Sequence, residues 1–455
     1  MTAELLQSLQ QITGQAHTFA IDHDRAEPYR KQFGFIADRA ANLFAVTQPD
    51  TVESLQAIVQ LARKQGLGLW PTPNMRGNGA VAGNPKQPGI LIDQHRMQRI
   101  LEVNVESACA LIEPGVSYQQ LYDHLQKNHT GLWIDCDLDP DHSVVGSITA
   151  RNYGYTPYGD HQLMQCGMEV VLANGELLRT GMGALPDSNT WQLFKYNFGP
   201  YIDGLFTQSS LAVISKIGLW LMPAPPVYKP FMLKVSGMSA LAAVIEVMRP
   251  MKIKGVIPNT VSILPDPASS DRWKLFGALY GMANNVGLTW NMLSNLLSSE
   301  DGIKICLETD CTDDPTWQAR QKLMQGTPVA RDNDSQFSTE WHLTFSASVE
   351  GGFALQMDEL GRRIVSQYEI AYRCEYLLIG RSMLYRIFLT YDQSTEAGRD
   401  NAIAAARQLL DTFTSAGFGI IDESLQLSYL VDRRFSGTGL ADFNDRLQQA
   451  LHIGR

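Results

Sequence analysis

Two stretches of the chain carry residue types able to do chemistry at close spacing. The first is Asp135-Cys136-Asp137-Leu138-Asp139-Pro140-Asp141-His142-Ser143. Carboxylates and a histidine this close together can take up and return protons, the work of a general base. Read alone, the run is either a catalytic or binding loop, with Asp141 and His142 as its candidates, or a solvated acidic loop. The second is Arg76-Gly77-Asn78-Gly79-Ala80. Glycines let backbone N–H groups approach phosphate oxygens and an arginine adds charge, so this is an anion cradle by type. Short glycine loops also serve as plain turns. Its spacing departs from the Walker A and dinucleotide fingerprints, and no nucleophile-elbow, zinc-protease or kinase motif is present.

Composition narrows the classes. The chain has 455 residues, 44% apolar, with a formal net charge of −10. That is enough apolar material for sizeable cores, and it excludes disorder as the main state. The negative charge argues against nucleic acid or an anionic membrane surface as partner. The charged fraction, 18%, lies below the roughly 25% usual for soluble domains, which points to much buried surface. Six cysteines, Cys109, Cys136, Cys166, Cys306, Cys311 and Cys374, form no Cys-x-x-Cys pair. No metal site and no disulfide framework is expected. No apolar run reaches the ~18 residues of a membrane span, and the first twenty residues lack a signal-peptide pattern. A cytoplasmic protein is the expectation.

The elements that must position these residues follow from periodicity. Residues 51–66 read as a helix, with Asp50 and Glu53 as a capping box and Gly66 closing it, between strands at Leu43–Val46 and Leu67–Trp70. Short strands follow at Ile90–Asp93, Ile100–Asn104 and Ala108–Glu113, then a helix over Tyr118–Lys127 with Leu121 and Leu125 inward. Asn174-Gly175 suits a type I′ hairpin. Ala212–Leu221 is a buried strand, and Pro223, Pro225 and Pro226 mark a boundary. Beyond it the pattern is a looser α+β. Strands are expected at Leu233–Val235, His342–Ser348 and Ile387–Tyr391, and helices at Leu241–Met248, Phe353–Gln367 and Thr395–Ala416.

Longer stretches carry a resemblance. Gly154-Tyr155-Thr156-Pro157-Tyr158-Gly159-Asp160-His161, the run Gly167 to Ala184, Gly199-Pro200-Tyr201-Ile202-Asp203-Gly204-Leu205-Phe206 and Lys216-Ile217-Gly218 resemble segments of the vanillyl-alcohol oxidase and 4-cresol dehydrogenase (p-cresol methylhydroxylase) flavoproteins. The similarity runs from about Phe44 to about Leu451. It implies an α+β fold: an FAD-binding domain of two α/β subdomains, residues 1–227 plus 416–455, and an inserted α+β cap, residues 228–415. It implies FAD as cofactor, a small-molecule substrate and a homodimer. Carried over by position, the cofactor residues are Arg76, Gly77, Asn78, Gly79, Ser143, Tyr155, Gly159, Gly204, Ile214 and His342. In the family a cap histidine bonds covalently to the flavin. Glu340-Trp341-His342-Leu343-Thr344-Phe345-Ser346 resembles that segment, and His342 is the one histidine between residues 228 and 415.

The departures cluster at the chemistry. Ala80 stands where the family has a phenol-binding tyrosine, and Ile421 and Asp422 stand where it has a tyrosine and an arginine that hold the phenolate. Leu138 aligns with the catalytic aspartate, flanked by Asp137 and Asp139, and Pro140-Asp141-His142 replaces glycines. The family's assisting histidine also has no counterpart, so partial linkage or tight non-covalent binding of flavin is expected. Two functions stay open. One is an FAD-dependent oxidoreductase passing hydride to flavin N5 from an amine or a neutral substrate, with Asp137, Asp139 or His142 as base and Asp422 inverting the local charge. The other is a flavin-independent or degenerate member, using the old cleft for acid–base chemistry or serving as a partner subunit.

Overall fold

The structure is a computed structural model. It describes residues 2–33, 43–73, 89–136, 139–209, 211–267, 269, 271–306, 311–329, 340–391, 395–421, 431 and 434–451. Strands are numbered in chain order.

The first unit begins with a four-stranded sheet made of β1 (Thr18–Ala20), β2 (Leu43–Thr47), β3 (Gly68–Thr72) and β4 (Gly89–Asp93), in the order β1-β2-β4-β3. β2 and β3 both pair β4 in parallel, which requires a crossover. The helix Val52–Gln65 makes it, burying Leu55, Ile58, Val59 and Ala62. Its capping box is Thr51 with Ser54, not Asp50 with Glu53; the Thr51 hydroxyl, one residue further in, reaches the Ser54 N–H. Gly66 closes the helix at φ 67°, as its type requires.

A second, antiparallel sheet comprises β5 (Ile100–Asn104), β6 (Cys109–Ile112), β8 (Gln165–Leu172), β9 (Leu177–Arg179) and β10 (Ala212–Trp220), in the order β5-β6-β10-β8-β9. β7 (Leu132–Trp133) pairs separately with β11 (Met222–Pro223). The helix Tyr118–Lys127 forms as expected, with Leu121 and Leu125 buried. The β8–β9 turn differs from the expected type I′. Only Gly175 takes a positive φ, 84°, and Leu172 O accepts the Gly175 N–H. The loop is longer by one residue, so a single left-handed glycine suffices.

The rest of the strands form one eight-stranded sheet. They are β12 (Val227–Ser236), β13 (Val261–Pro265), β14 (Arg272–Gly281), β15 (Ile303–Cys306), β16 (Glu340–Ser348), β17 (Ala371–Ile379), β18 (Ser382–Thr390) and β19 (Gly419–Ile421), in the order β15-β12-β14-β13-β17-β18-β16-β19. The prolines at 223–226 lead directly into β12, which is longer than the strand expected at Leu233–Val235. β13, β14, β15, β17 and the helix Ala283–Ser298 lacked a legible pattern. β19 hydrogen-bonds to β16, so residues 419–421 join this sheet rather than the first unit.

One face of the large sheet packs under helices Met238–Ile253, Ala283–Ser298, Gly351–Val365 and Glu396–Ser415, in a core holding Trp341, Leu343, Phe345, Tyr376 and Tyr385. The opposite face shares a core with the first unit, where Phe276, Ala278, Leu377 and Leu384 meet Tyr118, Val144, Ile148 and Tyr155. All six cysteines are buried, and none forms a disulfide.

Candidate functional site

The face of the large sheet turned to the first unit is read from register. Side chains alternate across a strand. With Trp341, Leu343 and Phe345 pointing into the helical core, His342, Thr344 and Ser346 lie on the other face. Opposite them run the rows His342–Phe388–Arg373, Thr344–Arg386–Glu375 and Ser346–Leu384–Leu377. Ile421 of β19 extends the middle row beyond Thr344.

That middle row is charged and buried. Glu375 is 1% exposed and Arg386 8%. Arg320, from the helix Pro315–Leu323 and 6% exposed, joins them. Its Nη2 donates to Glu375 Oε1 at 2.8 Å, and Arg386 Nη1 lies 3.7 Å from Glu375 Oε2. From the first unit, Tyr155 slides under Arg320, whose guanidinium sits 4.3 Å from the ring centroid. The Tyr155 hydroxyl donates to Glu375 Oε1 at 3.4 Å. Burial pushes the Tyr155 phenol up to about 12. Burial opposes the Arg320 charge, but the neighbouring Tyr155 and Glu375 outweigh it and hold its pKa above the ordinary value. Arg320 Nη1 and Ser262 Oγ, also on this face, are buried without a hydrogen-bond partner among the described residues. Beside this row, Arg373 stacks at 3.9 Å on Phe388.

The acidic stretch supplies a second group. His142 is buried, and its Nε2 lies 3.2 Å from Asp139 Oδ2. Asp139 Oδ1 accepts the Asp141 N–H at 2.9 Å. The loop is seated on the start of helix Tyr118–Lys127, where the Tyr118 N–H donates to His142 O and the Gln119 N–H to Pro140 O. Ser143 caps the buried helix Val144–Ala150: its hydroxyl accepts the Gly146 N–H at 2.9 Å and donates to Pro114 O at 2.5 Å. Asp135 ties this stretch to the next segment. It accepts the Thr156 N–H at 2.6 Å and hydrogen-bonds His161 Nε2 at 2.7 Å. Tyr118 Oη lies 3.3 Å from His161 Nδ1.

Other expected site residues fall as follows. Asp139 and His142 meet. Tyr155 joins the buried charge cluster, and His342 lies on the same sheet face one row away. A Cβ on Gly159 would sit 2.8 Å from both Gly154 O and Thr260 Oγ1, so Gly159 permits close approach between the two units. Gly204 is exposed in a 3-10 turn, with open space around its Cα. The Ile214 carbonyl accepts from Gln94 Nε2 at 2.7 Å. Arg76, Gly77, Asn78, Gly79, Asp137 and Asp422 lie outside the described residues. No group of three or more His, Cys, Asp or Glu suited to a metal occurs among the described residues.

Arg320, Glu375 and Arg386 escaped the sequence reading. Their signal was present: Glu375 sits in Cys374-Glu375-Tyr376-Leu377-Leu378 and Arg386 in Leu384-Tyr385-Arg386-Ile387. A charge inside a buried apolar strand needs a partner or a purpose.

Comparison with known proteins places these features. Residues 44–181 match a protein-family profile described as an FAD binding domain. The chain is 30% identical to the 4-cresol dehydrogenase [hydroxylating] flavoprotein subunit of Pseudomonas putida, in an alignment covering 91% of this chain and 85% of that one. It is 32% identical to 1'-carboxy-chondrochloren decarboxylase of Chondromyces crocatus over 57% of this chain and 48% of the relative. The crystal structure of p-cresol methylhydroxylase with substrate bound superposes with a TM-score of 0.91 at 27% identity, covering 98% of this chain and 94% of that one.

Proposed function

Because the chain belongs to the p-cresol methylhydroxylase-type branch of the vanillyl-alcohol oxidase flavoproteins, an enzyme family that uses FAD, we propose that it oxidises a small organic substrate at carbon. The observation that carries this reading is the FAD-domain match over residues 44–181, which contains the acidic loop, Ser143 and Tyr155.

The described residues fit such a cofactor. Ser262 Oγ, on the sheet face turned to the first unit, is buried with no hydrogen-bond partner among the described residues, a position where a bound group can supply one. A planar, carbonyl-rich ring system suits a face of that kind. Arg76, Gly77, Asn78, Gly79, Ser143, Tyr155, Gly159, Gly204, Ile214 and His342 are the residues proposed to hold FAD, with His342 the position for a covalent link. When bound, FAD would supply a two-electron acceptor for oxidation of the substrate carbon.

The chain's own task is then the proton. The Asp139 carboxylate lies 3.2 Å from His142 Nε2, close enough to orient the imidazole. His142 is therefore the proposed base, with Asp139 orienting its ring. Asp137 and Asp422 are further proposed catalytic positions. The expected amine or neutral substrate rests on the Asp422 carboxylate alone.

The division into residues 1–227 plus 416–455 and residues 228–415 is the proposed domain organisation, with β19 as the strand that bridges it. A homodimer is proposed, supported by the exposed aromatics Phe194, Tyr196, Phe198 and Tyr201 on one segment. A cytoplasmic location is proposed on six buried cysteines that form no disulfide. No helix among the described residues is long and apolar enough to cross a membrane.

The visible absorption spectrum of purified protein reconstituted with excess FAD and then desalted tests the function. Flavin bands that stay with the protein are expected. Colourless protein removes the redox reading and leaves acid–base chemistry at the same residues.

A further inference from the structure

The charged row on the large sheet is built asymmetrically. Glu375 is shared by two guanidiniums, Arg320 at 2.8 Å and Arg386 at 3.7 Å. Arg320 spends Nη2 on it, lies over the Tyr155 ring, and keeps Nη1 buried with no hydrogen-bond partner among the described residues. A guanidinium is a strong, always-charged donor. Leaving one of its N–H groups buried and unpaired is costly, so a fold that does so has another acceptor for it.

We propose that Arg320, steered by Glu375 and Tyr155, is the carboxylate-binding residue of the substrate site, and that the substrate is an organic acid. A planar oxyanion matches the planar guanidinium edge and pairs with it by charge-assisted hydrogen bonds. The row has the means to aim that edge: Glu375 pulls Nη2 to one side and the Tyr155 ring supports the guanidinium face, which leaves Nη1 as the free end of the fork. This assignment rests on the reading that the sheet face turned to the first unit is part of the active site. It replaces the amine or neutral substrate that the Asp422 carboxylate suggested.

Calorimetric titration of the flavin-loaded protein with benzoate and propionate, each against its amide, reads the subsite directly. Each acid is expected to bind at least tenfold more tightly than its amide. Arg320→Gln is expected to abolish that preference, Arg320→Lys to retain part of it, and Glu375→Gln, which removes the competing carboxylate, to strengthen it. Acids that bind no better than amides overturn the proposal. So does an Arg320→Gln protein with wild-type acid affinity but a lowered flavin reduction potential, because Nη1 then serves the flavin. If Arg320→Gln fails to fold, the wild-type acid-to-amide ratio and its change in Glu375→Gln decide. A colourless protein fails the oxidoreductase reading separately, since the same titration still reports whether acids are preferred.

Discussion

His161 Nε2 meets Asp135 Oδ2 at 2.7 Å, with both side chains buried. The contact joins the acidic stretch to the Gly154–His161 segment, and Asp135 also accepts the Thr156 N–H. Asp135 is thus fully engaged in holding the loop that carries Asp139 and His142. Asp135→Ala leaves a buried N–H and a buried imidazole without their acceptor. We expect a loss of about 2–4 kcal/mol in urea unfolding, with Asp135→Asn losing less.

Gly154 lies against the same carboxylate. A Cβ there would fall 1.5 Å from Asp135 Oδ2 and 2.9 Å from the Cys136 carbonyl. Both neighbours are fixed, one by two hydrogen bonds and the other as backbone. Gly154→Ala is expected to cost about 1–3 kcal/mol by overpacking, measured by the same unfolding curve, and to weaken flavin retention on gel filtration.

Removing the proposed base separates chemistry from folding. His142→Ala is expected to reduce turnover by about 10²-fold or more while the flavin spectrum persists. Asp139→Asn, which keeps shape but removes charge, is expected to reduce it less and to shift the pH profile. Asp141→Asn, on an exposed side chain, is expected to leave turnover within a factor of two. Unchanged turnover in both His142→Ala and Asp139→Asn excludes the loop as the site.

The proposed covalent link has a direct readout. After acid precipitation of wild-type protein, part of the flavin is expected to stay with the pellet. His342→Ala is expected to release all of it to the supernatant. Complete release from wild type removes the bond.

Stability against acid turns on Glu169. It is 1% exposed and receives Lys216 Nζ at 2.7 Å, Arg179 Nε at 2.8 Å and the Ser215 hydroxyl at 2.9 Å. Burial raises its pKa, but these donors outweigh burial and hold it below the ordinary value. A depressed folded-state pKa contributes stability at pH above the unfolded carboxylate value, and that stability is lost as pH falls through the folded one. Wild type should lose stability below about pH 4.5, the ordinary range of a glutamate. Glu169→Gln should be about 1–3 kcal/mol less stable at pH 7, with a shallower fall in acid.

The helices of the first unit were legible because their burial is one-sided, and its strands because they are short apolar runs bounded by turn residues. Tyr118–Lys127 shows its apolar stripe plainly in the sequence. The large sheet was less legible because it is buried on both faces. A strand such as Leu384-Tyr385-Arg386-Ile387 shows no alternation when both faces are covered. The site was legible where it is local in sequence, as with Asp139 and His142, and in His342, whose segment resembles relatives. It was illegible where it is assembled by register. Nothing local relates Arg320 to Glu375, fifty-five residues apart, until β17 and β18 bring Glu375 and Arg386 side by side.

The buried thiols give the molecule an internal clock. Cys306 and Cys311 sit in the core shared with the first unit, whereas Cys374 belongs to the helical core on the far side of the large sheet. A thiol reagent can therefore reach the first two when the two units part and the third only when the far side opens. Modification rates resolved residue by residue would time the separation of the units against the melting of each, and would show whether closing the cleft and completing the fold are one event or two.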